Sequence, residues 1–130
     1  MRILRPGLRW EIVSPRAAEP LCLQRLAHRN GYRVGGISAA LGCSERYMRQ
    51  VFIRDVGLPP LEWLRWERMV MARRLIVSES PQAVAEMLGF NSERSFAREF
   101  QAVYRVTPTV YRRNRWRTWC VLTEAEDIEC

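Results

Sequence analysis

The sequence predicts an all-α fold in which two small helical subdomains are joined by one long helix, with short extended arms at the termini. Three observations support this prediction. One segment of the chain occurs twice, each copy begins with a serine that can cap a helix, and an uninterrupted helical pattern lies between the copies. The 130 residues, of which 48% are hydrophobic, suffice for one compact domain or two very small ones.

The two ends of the chain have extended patterns. Apolar residues alternate with charged ones around Trp10 and Ile12, which predicts an extended arm within residues 1–19. Residues 114–122 alternate weakly as well, which predicts that they pair with this arm in a small sheet, and the acidic residues after them predict a solvated tail. Between the ends, the first helical pattern covers residues 21–29.

Residues 44–63 and 92–111 are two copies of one unit, related by an offset of 48 residues. In both copies a serine that can cap a helix precedes a glutamate in the first turn, where its charge suits the helix dipole. The sequence therefore predicts a capped helix over about residues 44–54 and another over about 92–102. The identical pairs are Ser44/Ser92, Glu45/Glu93, Arg46/Arg94, Phe52/Phe100 and Pro60/Pro108.

Each capped helix has an apolar and a polar side. Met48, Val51 and Phe52 form the apolar stripe of the first helix, and Phe96 and Phe100 form that of the second. The outward positions are Arg46, Arg49, Gln50 and Ile53 in the first helix and Arg94, Ala97 and Arg98 in the second.

A short helical segment that ends in glycine precedes each capped helix, over residues 37–42 and 83–89. Helix, tight turn and capped helix follow one another as in a helix-turn-helix motif. Ser80-Pro81 supplies a cap and a first-turn proline to the second motif. Gly35-Gly36 weaken the first motif, because each glycine costs about 1 kcal/mol within a helix.

The connecting segment, residues 61–77, contains no Gly or Pro and has apolar residues at helical spacing, which predicts a stiff helix of roughly 25 Å. Arg68 is on its inward side, so we expect an ion pair with a carboxylate, such as one on another helix. The aromatic residues expected in the core are Trp63, Trp66, Phe52, Phe90, Phe96, Phe100 and Tyr111. The predicted boundaries are residues 1–19 for the arm, 20–58 for the first subdomain, 59–78 for the connecting helix, 79–113 for the second subdomain and 114–130 for the C-terminal extension.

The charge composition favours a nucleic-acid partner. The net charge is +7 and all 21 basic residues are arginine, whose planar fork of donors fits phosphate oxygens and the edge of guanine. The alternative is that the arginine content reflects only codon usage. No membrane span or signal peptide is recognisable, so we expect an intracellular protein.

The sequence offers little for catalysis or metal binding. His28 is the one histidine, and the four cysteines form no C-x-x-C pair, so we expect free thiols and no metal site. No nucleophile or carboxylate pair stands out, so we expect a protein that is not an enzyme and has no cofactor. A thiol sensor at Cys22 or Cys43 is an alternative that the spacing does not require.

Over residues 20–113 the chain resembles the DNA-binding domain of the AraC/XylS family of bacterial transcription regulators, which has two helix-turn-helix motifs joined by a long helix. Three features depart from the family pattern: Gly35-Gly36, Ser38 where alanine is usual, and Arg105 where glycine is usual. Typical members are longer and carry an effector or dimerisation domain. The resemblance rests on Ala85, Gly89, Phe90, Ser92, Phe96, Arg98, Phe100, Pro108, Tyr111 and Arg112, and in the connector on Pro60, Trp63, Leu64, Arg68, Ala72, Arg73 and Leu75.

The resemblance implies a sequence-specific regulator that inserts both capped helices into successive major grooves of double-stranded DNA, with RNA polymerase as a further partner. It also implies a cytoplasmic, nucleoid-associated protein that acts as a monomer, or as a dimer through a missing domain. The base contacts implied are Arg46, Arg49, Gln50, Glu93, Arg94, Ala97 and Arg98. The phosphate contacts implied are Ser44, Arg54, Ser92, Arg112 and Arg113.

Two alternatives stay open at this point. Each outward arginine can instead be a solvated charge or a phosphate contact that carries no sequence information. The whole chain can also be a protein-interaction module of the same fold, which acts as an antagonist or recruiter without DNA specificity of its own.

Overall fold

The computed structural model describes residues 1–114, which contain three short strands and seven helices. The chain divides into two compact units, whose described parts are residues 1–67 and 68–114. None of the helices in this described part is long and apolar enough to cross a membrane. The predicted fold class is confirmed, with a small sheet added to a mainly helical protein.

The first unit begins with an antiparallel sheet of three strands in sequence order, β1 (Arg2–Leu4), β2 (Glu11–Val13) and β3 (Leu21–Cys22). Ile3 lies opposite Ile12 and both side chains are buried. The N-terminal arm therefore pairs with its own neighbours in sequence. The predicted pairing with residues 114–122 falls almost entirely outside the described residues.

Helix α1 (Leu23–Arg29) follows the sheet directly. The prediction of a helix from residue 21 is wrong by two residues, because Leu21 and Cys22 pair with β2 and the backbone N–H of Leu23 still donates to the carbonyl of Trp10 at 2.9 Å. His28 is exposed in the last turn, and its Nδ1 lies 3.2 Å from the hydroxyl of Tyr32. This agrees with the expected satisfied surface residue.

The first helix-turn-helix motif consists of α2 (Val34–Leu41) and α3 (Glu45–Asp55). Gly42 ends α2 in the left-handed region, with φ of 69°. The hydroxyl of Ser44 caps α3 by accepting the N–H of Tyr47 at 3.1 Å. As predicted, the apolar stripe of α3 is buried, and it consists of Met48, Val51 and Phe52.

The two glycines of α2 allow close approach rather than breaking the helix. A Cβ at Gly35 would lie 2.8 Å from Oε1 of Glu45, and one at Gly36 would lie 3.0 Å from the carbonyl oxygen of Asn30. Ser38 is buried, and its hydroxyl donates to the carbonyl of Gly35 at 3.1 Å. Gly36, which lies beside a backbone oxygen, and the buried Ser38 are therefore suited to the packing of α2.

Helix α4 (Pro60–Leu75) has 16 residues and spans the division between the units. Its first half buries Trp63 and Leu64, and its second half buries residues that include Met69 and Ala72. At 100° per residue these sets do not form one stripe. The prediction that Trp66 is in the core is wrong, because Trp66 lies outside both sets and is 53% exposed.

The second unit contains α5 (Pro81–Met87), α6 (Glu93–Tyr104) and α7 (Pro108–Arg113). Hydroxyl groups cap all three helices, at Ser80, Ser92 and Thr107. The core is aromatic, with neighbouring ring centroids 4.7 to 5.7 Å apart. Its members are Phe90, Phe96, Phe100, Tyr104 and Tyr111.

The offset of 48 residues is also a structural equivalence. Helices α3 and α6 begin 48 residues apart, as do α4 and α7. After each capped helix the chain enters the left-handed region at equivalent positions, with φ of 87° at Gly57 and 65° at Arg105. Arg105 therefore occupies a backbone position that favours glycine.

Candidate nucleic-acid interface

The outward side of α3 is basic. Arg46, Arg49 and Gln50 are all exposed, on the side of the helix away from its buried stripe. Ile53, one turn further along, is 52% exposed. The three polar side chains offer a compact set of hydrogen-bond donors above a fixed apolar core.

Arg46 and Arg49 also line a shallow groove of about 430 Å³. Glu45 lines the same groove, so its wall carries both signs of charge with an excess of arginine. The remaining wall is mostly apolar and consists of Val34, Pro59, Pro60 and Leu61. The groove follows the basic side of α3 and is part of the same candidate surface.

The outward side of α6 contains both signs of charge. Glu93, Arg94 and Arg98 are exposed, and Ala97 is half-buried among them. Glu93 lines a groove of about 350 Å³ together with Glu86 of α5. The groove beside the start of α6 is therefore lined by two glutamates, and the two arginines of α6 are separated by one turn.

Ser44 and Ser92 hold the starts of the two outward helices. Each side-chain oxygen accepts a backbone N–H, at 3.1 Å from Tyr47 and 3.0 Å from Ser95. Both serines are exposed, and each hydroxyl keeps its own hydrogen as a donor. Both predicted phosphate contacts therefore lie at the positive end of a helix dipole.

Arg54 is already engaged within the first unit. Its Nε and Nη2 donate to the carboxylate of Asp55 at 2.7 and 2.9 Å, and Nη2 also donates to the carbonyl of Met1 at 2.6 Å. Asp55 in turn accepts the backbone N–H of Ile3 at 2.9 Å. The hydrogen bond from Arg54 lowers the pKa of Asp55 to about 2 against a smaller opposing effect of burial. These residues fasten β1 to the end of α3, and a phosphate contact by Arg54 stays a prediction.

The last two predicted phosphate contacts are in α7, where Arg112 is half-buried and Arg113 is exposed. Together with Ser92, they are the phosphate contacts expected in the second unit. Both contacts stay predictions.

The expected ion pair of Arg68 is present. Its Nη2 lies 3.0 and 3.1 Å from the two carboxylate oxygens of Glu99 on α6, and its guanidinium lies 4.0 Å from the ring centroid of Phe90. Both charged side chains are about four-fifths buried, with 20% and 21% exposed. This contact explains why α6 has a glutamate where α3 has the apolar Val51, and it fixes α6 against α4 within the second unit.

The sequence did not predict two contacts near the ends of α3, one made by Asp55 and the other by Arg16. Asp55 has one local signal, because an acid in the last turn of a helix opposes the dipole and so implies another partner. Arg16 has no such signal, since its guanidinium lies over Gly42, 26 positions later in the chain. Contacts of that range become visible only in the folded structure.

The expectation of free thiols is confirmed for Cys43 and wrong for Cys22, and the other two cysteines lie outside the described residues. Cys43 is free, and burial raises the pKa of its thiol against an opposing effect of Arg16. Cys22, in contrast, is disulfide-bonded. A raised thiol pKa opposes thiolate formation, so Cys43 lacks the usual property of a thiol sensor. Within residues 1–114, no group of histidine, cysteine or acidic residues could hold a metal ion.

Comparison with protein families gives one matching model, described as a helix-turn-helix domain, over residues 37–114. The HTH-type transcriptional regulator YkgA of Escherichia coli K12 is 27% identical over 118 residues, which cover 88% of this chain and 44% of YkgA. The HTH-type transcriptional activator AarP of Providencia stuartii is 28% identical over 85 residues, which cover 64% of this chain and 63% of AarP. The chain thus spans less than two thirds of either relative.

Solved structures resemble this fold. The DNA-binding domain of the global transcriptional factor AdpA, in complex with a target DNA, superposes with a TM-score of 0.60 at 28% identity, over 70% of this chain and 87% of that chain. The C-terminal domain of the two-component response regulator YesN of Fusobacterium nucleatum superposes with a TM-score of 0.59 at 26% identity, over 69% of this chain and 94% of that chain.

Proposed function

The chain belongs to the AraC/XylS family of bacterial helix-turn-helix transcription regulators, and we propose that it recognises a specific double-stranded DNA sequence through α3 and α6. Each helix lies in a major groove, and the two grooves are successive turns of one duplex, roughly 34 Å apart. The protein acts without a catalytic residue or cofactor. A DNA partner is supported by the similarity to the AdpA domain, which is bound to its target DNA.

The main support for the proposal is the exposed basic side of α3. The helix itself is fixed in place by a serine cap and by a fully buried apolar stripe. Arg46 and Arg49 can each donate two hydrogen bonds to O6 and N7 of guanine. Gln50 can pair with N6 and N7 of adenine. A rigid helix that presents these groups on one side suits direct readout of base edges.

The second helix offers a different set of contacts. Arg94 and Arg98 can donate to guanine, Glu93 can accept from N4 of cytosine, and the methyl group of Ala97 can contact the methyl group of thymine. Because the groups on α6 differ from those on α3, the two half-sites differ in sequence. A single chain then recognises an asymmetric site, and no dimer partner is required.

The phosphate contacts that position these helices are assigned to Ser44, Ser92, Arg112 and Arg113, with Arg54 as a weaker candidate because Asp55 already holds its donors. Hydroxyl donors and arginines at helix ends are the usual groups for this purpose. As a regulator the protein acts at the nucleoid in the cytoplasm, with RNA polymerase as its second partner.

The first prediction tests the base contacts. Arg49→Ala and Arg98→Ala should each weaken binding to the preferred duplex by about 1–3 kcal/mol, because each removes a bidentate pair with a base, while binding to an unrelated duplex falls much less. Competition titration with the two duplexes measures both losses. Arg29→Ala, which removes an exposed arginine at the end of α1, is the matched control and should change neither affinity.

Three outcomes would contradict this assignment. Equal losses on all sequences would make Arg49 and Arg98 phosphate contacts without sequence information. A folded protein that gives no mobility shift at low salt, or a binding constant independent of salt, would argue against DNA binding and for the protein-interaction module.

A further inference from the structure

The turn that follows β2 holds Arg16 in a fixed backbone position. The hydroxyl of Ser14 accepts the N–H of Arg16 at 3.3 Å, and the carbonyl of Ser14 accepts the N–H of Ala17 at 3.1 Å. Ser14 is only 3% exposed. The turn is therefore part of the packed first unit, and it precedes the segment that the family model matches.

The guanidinium of Arg16 lies over the turn of the first helix-turn-helix motif. A Cβ at Gly42 would lie 2.8 Å from its Nε and would also collide with its Cζ and Nη1. The φ of Gly42 is 69°, which favours glycine, and the guanidinium of Arg16 occupies the space beside its Cα. Gly42 is followed by Cys43 and by Ser44, the cap of α3.

Arg16 has a positive charge at a place that already favours anions. Within residues 1–114 its guanidinium forms no ion pair or hydrogen bond, and the side chain is exposed. The start of α3 beside it carries the positive end of the helix dipole. Glu45 is the acid of that first turn, but its carboxylate lies against Gly35. A cation at this end of a helix is unfavourable unless an anion joins it.

We infer that Arg16 contacts a DNA backbone phosphate beside the start of α3, so that the N-terminal sheet region contributes to the DNA interface. This inference rests on the proposed function and adds to it a residue outside the matched domain. The phosphate supplies the missing negative charge and accepts hydrogen bonds from the arginine fork. The contact positions α3 without reading the sequence.

The test is the salt dependence of binding for Arg16→Gln on the selected duplex and on an unrelated one. Loss of one neutralised phosphate should lower the slope of log K against log salt by about 0.9, which weakens binding about eightfold at 0.1 M salt and equally on both duplexes. Arg16→Lys keeps the charge and should restore most of the slope. Arg9→Gln is the matched control, because Arg9 is in the same segment and already pairs with Glu11 at 3.5 Å.

Each possible outcome decides the inference. An unchanged slope in Arg16→Gln, beside a wild-type protein that binds steeply, overturns the inference and leaves the proposed function intact. A lowered melting temperature with an unchanged slope shows that Arg16 only packs over Gly42, and it overturns the inference as well. If the wild-type protein itself does not bind DNA, the proposed function fails and this inference fails with it.

Discussion

Glu67 is a residue whose surroundings oppose its charge. It lies in α4, and burial raises the pKa of its carboxyl to about 7 from an ordinary 4.5, against an opposing effect of Arg5. No hydrogen bond or ion pair to this carboxylate is formed within residues 1–114. The folded state therefore binds a proton more tightly than the unfolded state does.

This environment predicts a pH-dependent stability. Between pH 4.5 and about 7 the folded protein holds a proton that the unfolded chain releases, so the free energy of unfolding should fall as the pH rises through this window. Glu67→Gln should remove that fall and stabilise the protein by on the order of 2 kcal/mol at pH 8. Urea denaturation at pH 5 and pH 8 measures both effects.

The control for this prediction is Glu62→Gln, which removes an exposed carboxylate from the same helix and should leave the pH dependence unchanged. If the wild-type protein and Glu67→Gln lose the same stability between pH 5 and pH 8, the carboxyl of Glu67 titrates normally and its partly buried position has no energetic consequence.

Residues with local signals could be predicted from the sequence, and residues with distant partners could not. Ser44, Ser80 and Ser92 cap helices as predicted, because a cap acts within three residues of its own position. The position of Arg16 over Gly42 and the hydrogen bond from Ile3 to Asp55 join segments more than twenty residues apart. No periodicity or local propensity encodes such contacts.

Among the helices and strands, those that belong to the repeat could be predicted, and those outside it were predicted less well. The repeat located α3 and α6 to within two residues, since both copies have the same cap and the same buried phenylalanine. In α4 the aromatic residues were expected in the core, but Trp63 is buried and Trp66 is 53% exposed. The strand over Leu21–Cys22 was missed because two residues are too short for an alternating pattern.

The residues that follow the two capped helices both have a positive φ, but only one of them is glycine. Arg105 holds a φ of 65° where its counterpart Gly57 holds 87°, and a side chain in this region costs about 1 kcal/mol. Arg105→Gly should therefore stabilise the protein by about 1 kcal/mol, which raises Tm by about 4 °C. Thermal melting followed by circular dichroism measures the change.

Arg105→Ala separates the backbone effect from the loss of charge, because alanine keeps the Cβ and so keeps the strain. It should have a Tm close to that of the wild-type protein. A rise in Tm for Arg105→Ala equal to that for Arg105→Gly would show that the charge of Arg105, and not its backbone, limits the stability of this helix end.

At the scale of the whole molecule, two helix-turn-helix units in one chain carry different outward chemistry. The wall of the groove beside α3 contains two arginines and one glutamate, whereas that of the groove beside α6 contains two glutamates. With a net charge of +7, the chain has a general attraction for DNA. We propose that the difference between the helices turns this attraction into recognition of an asymmetric sequence.

Recognition of DNA by both helices can be tested by selecting bound sequences from a random duplex pool at near-physiological salt. We predict an asymmetric motif with two conserved blocks whose centres are about one helical turn apart, one block for each helix. A single block that is lost in Arg98→Ala would show that α6 reads bases alone, and would contradict base recognition by α3. No enrichment of any sequence by the folded protein would contradict sequence-specific recognition of DNA.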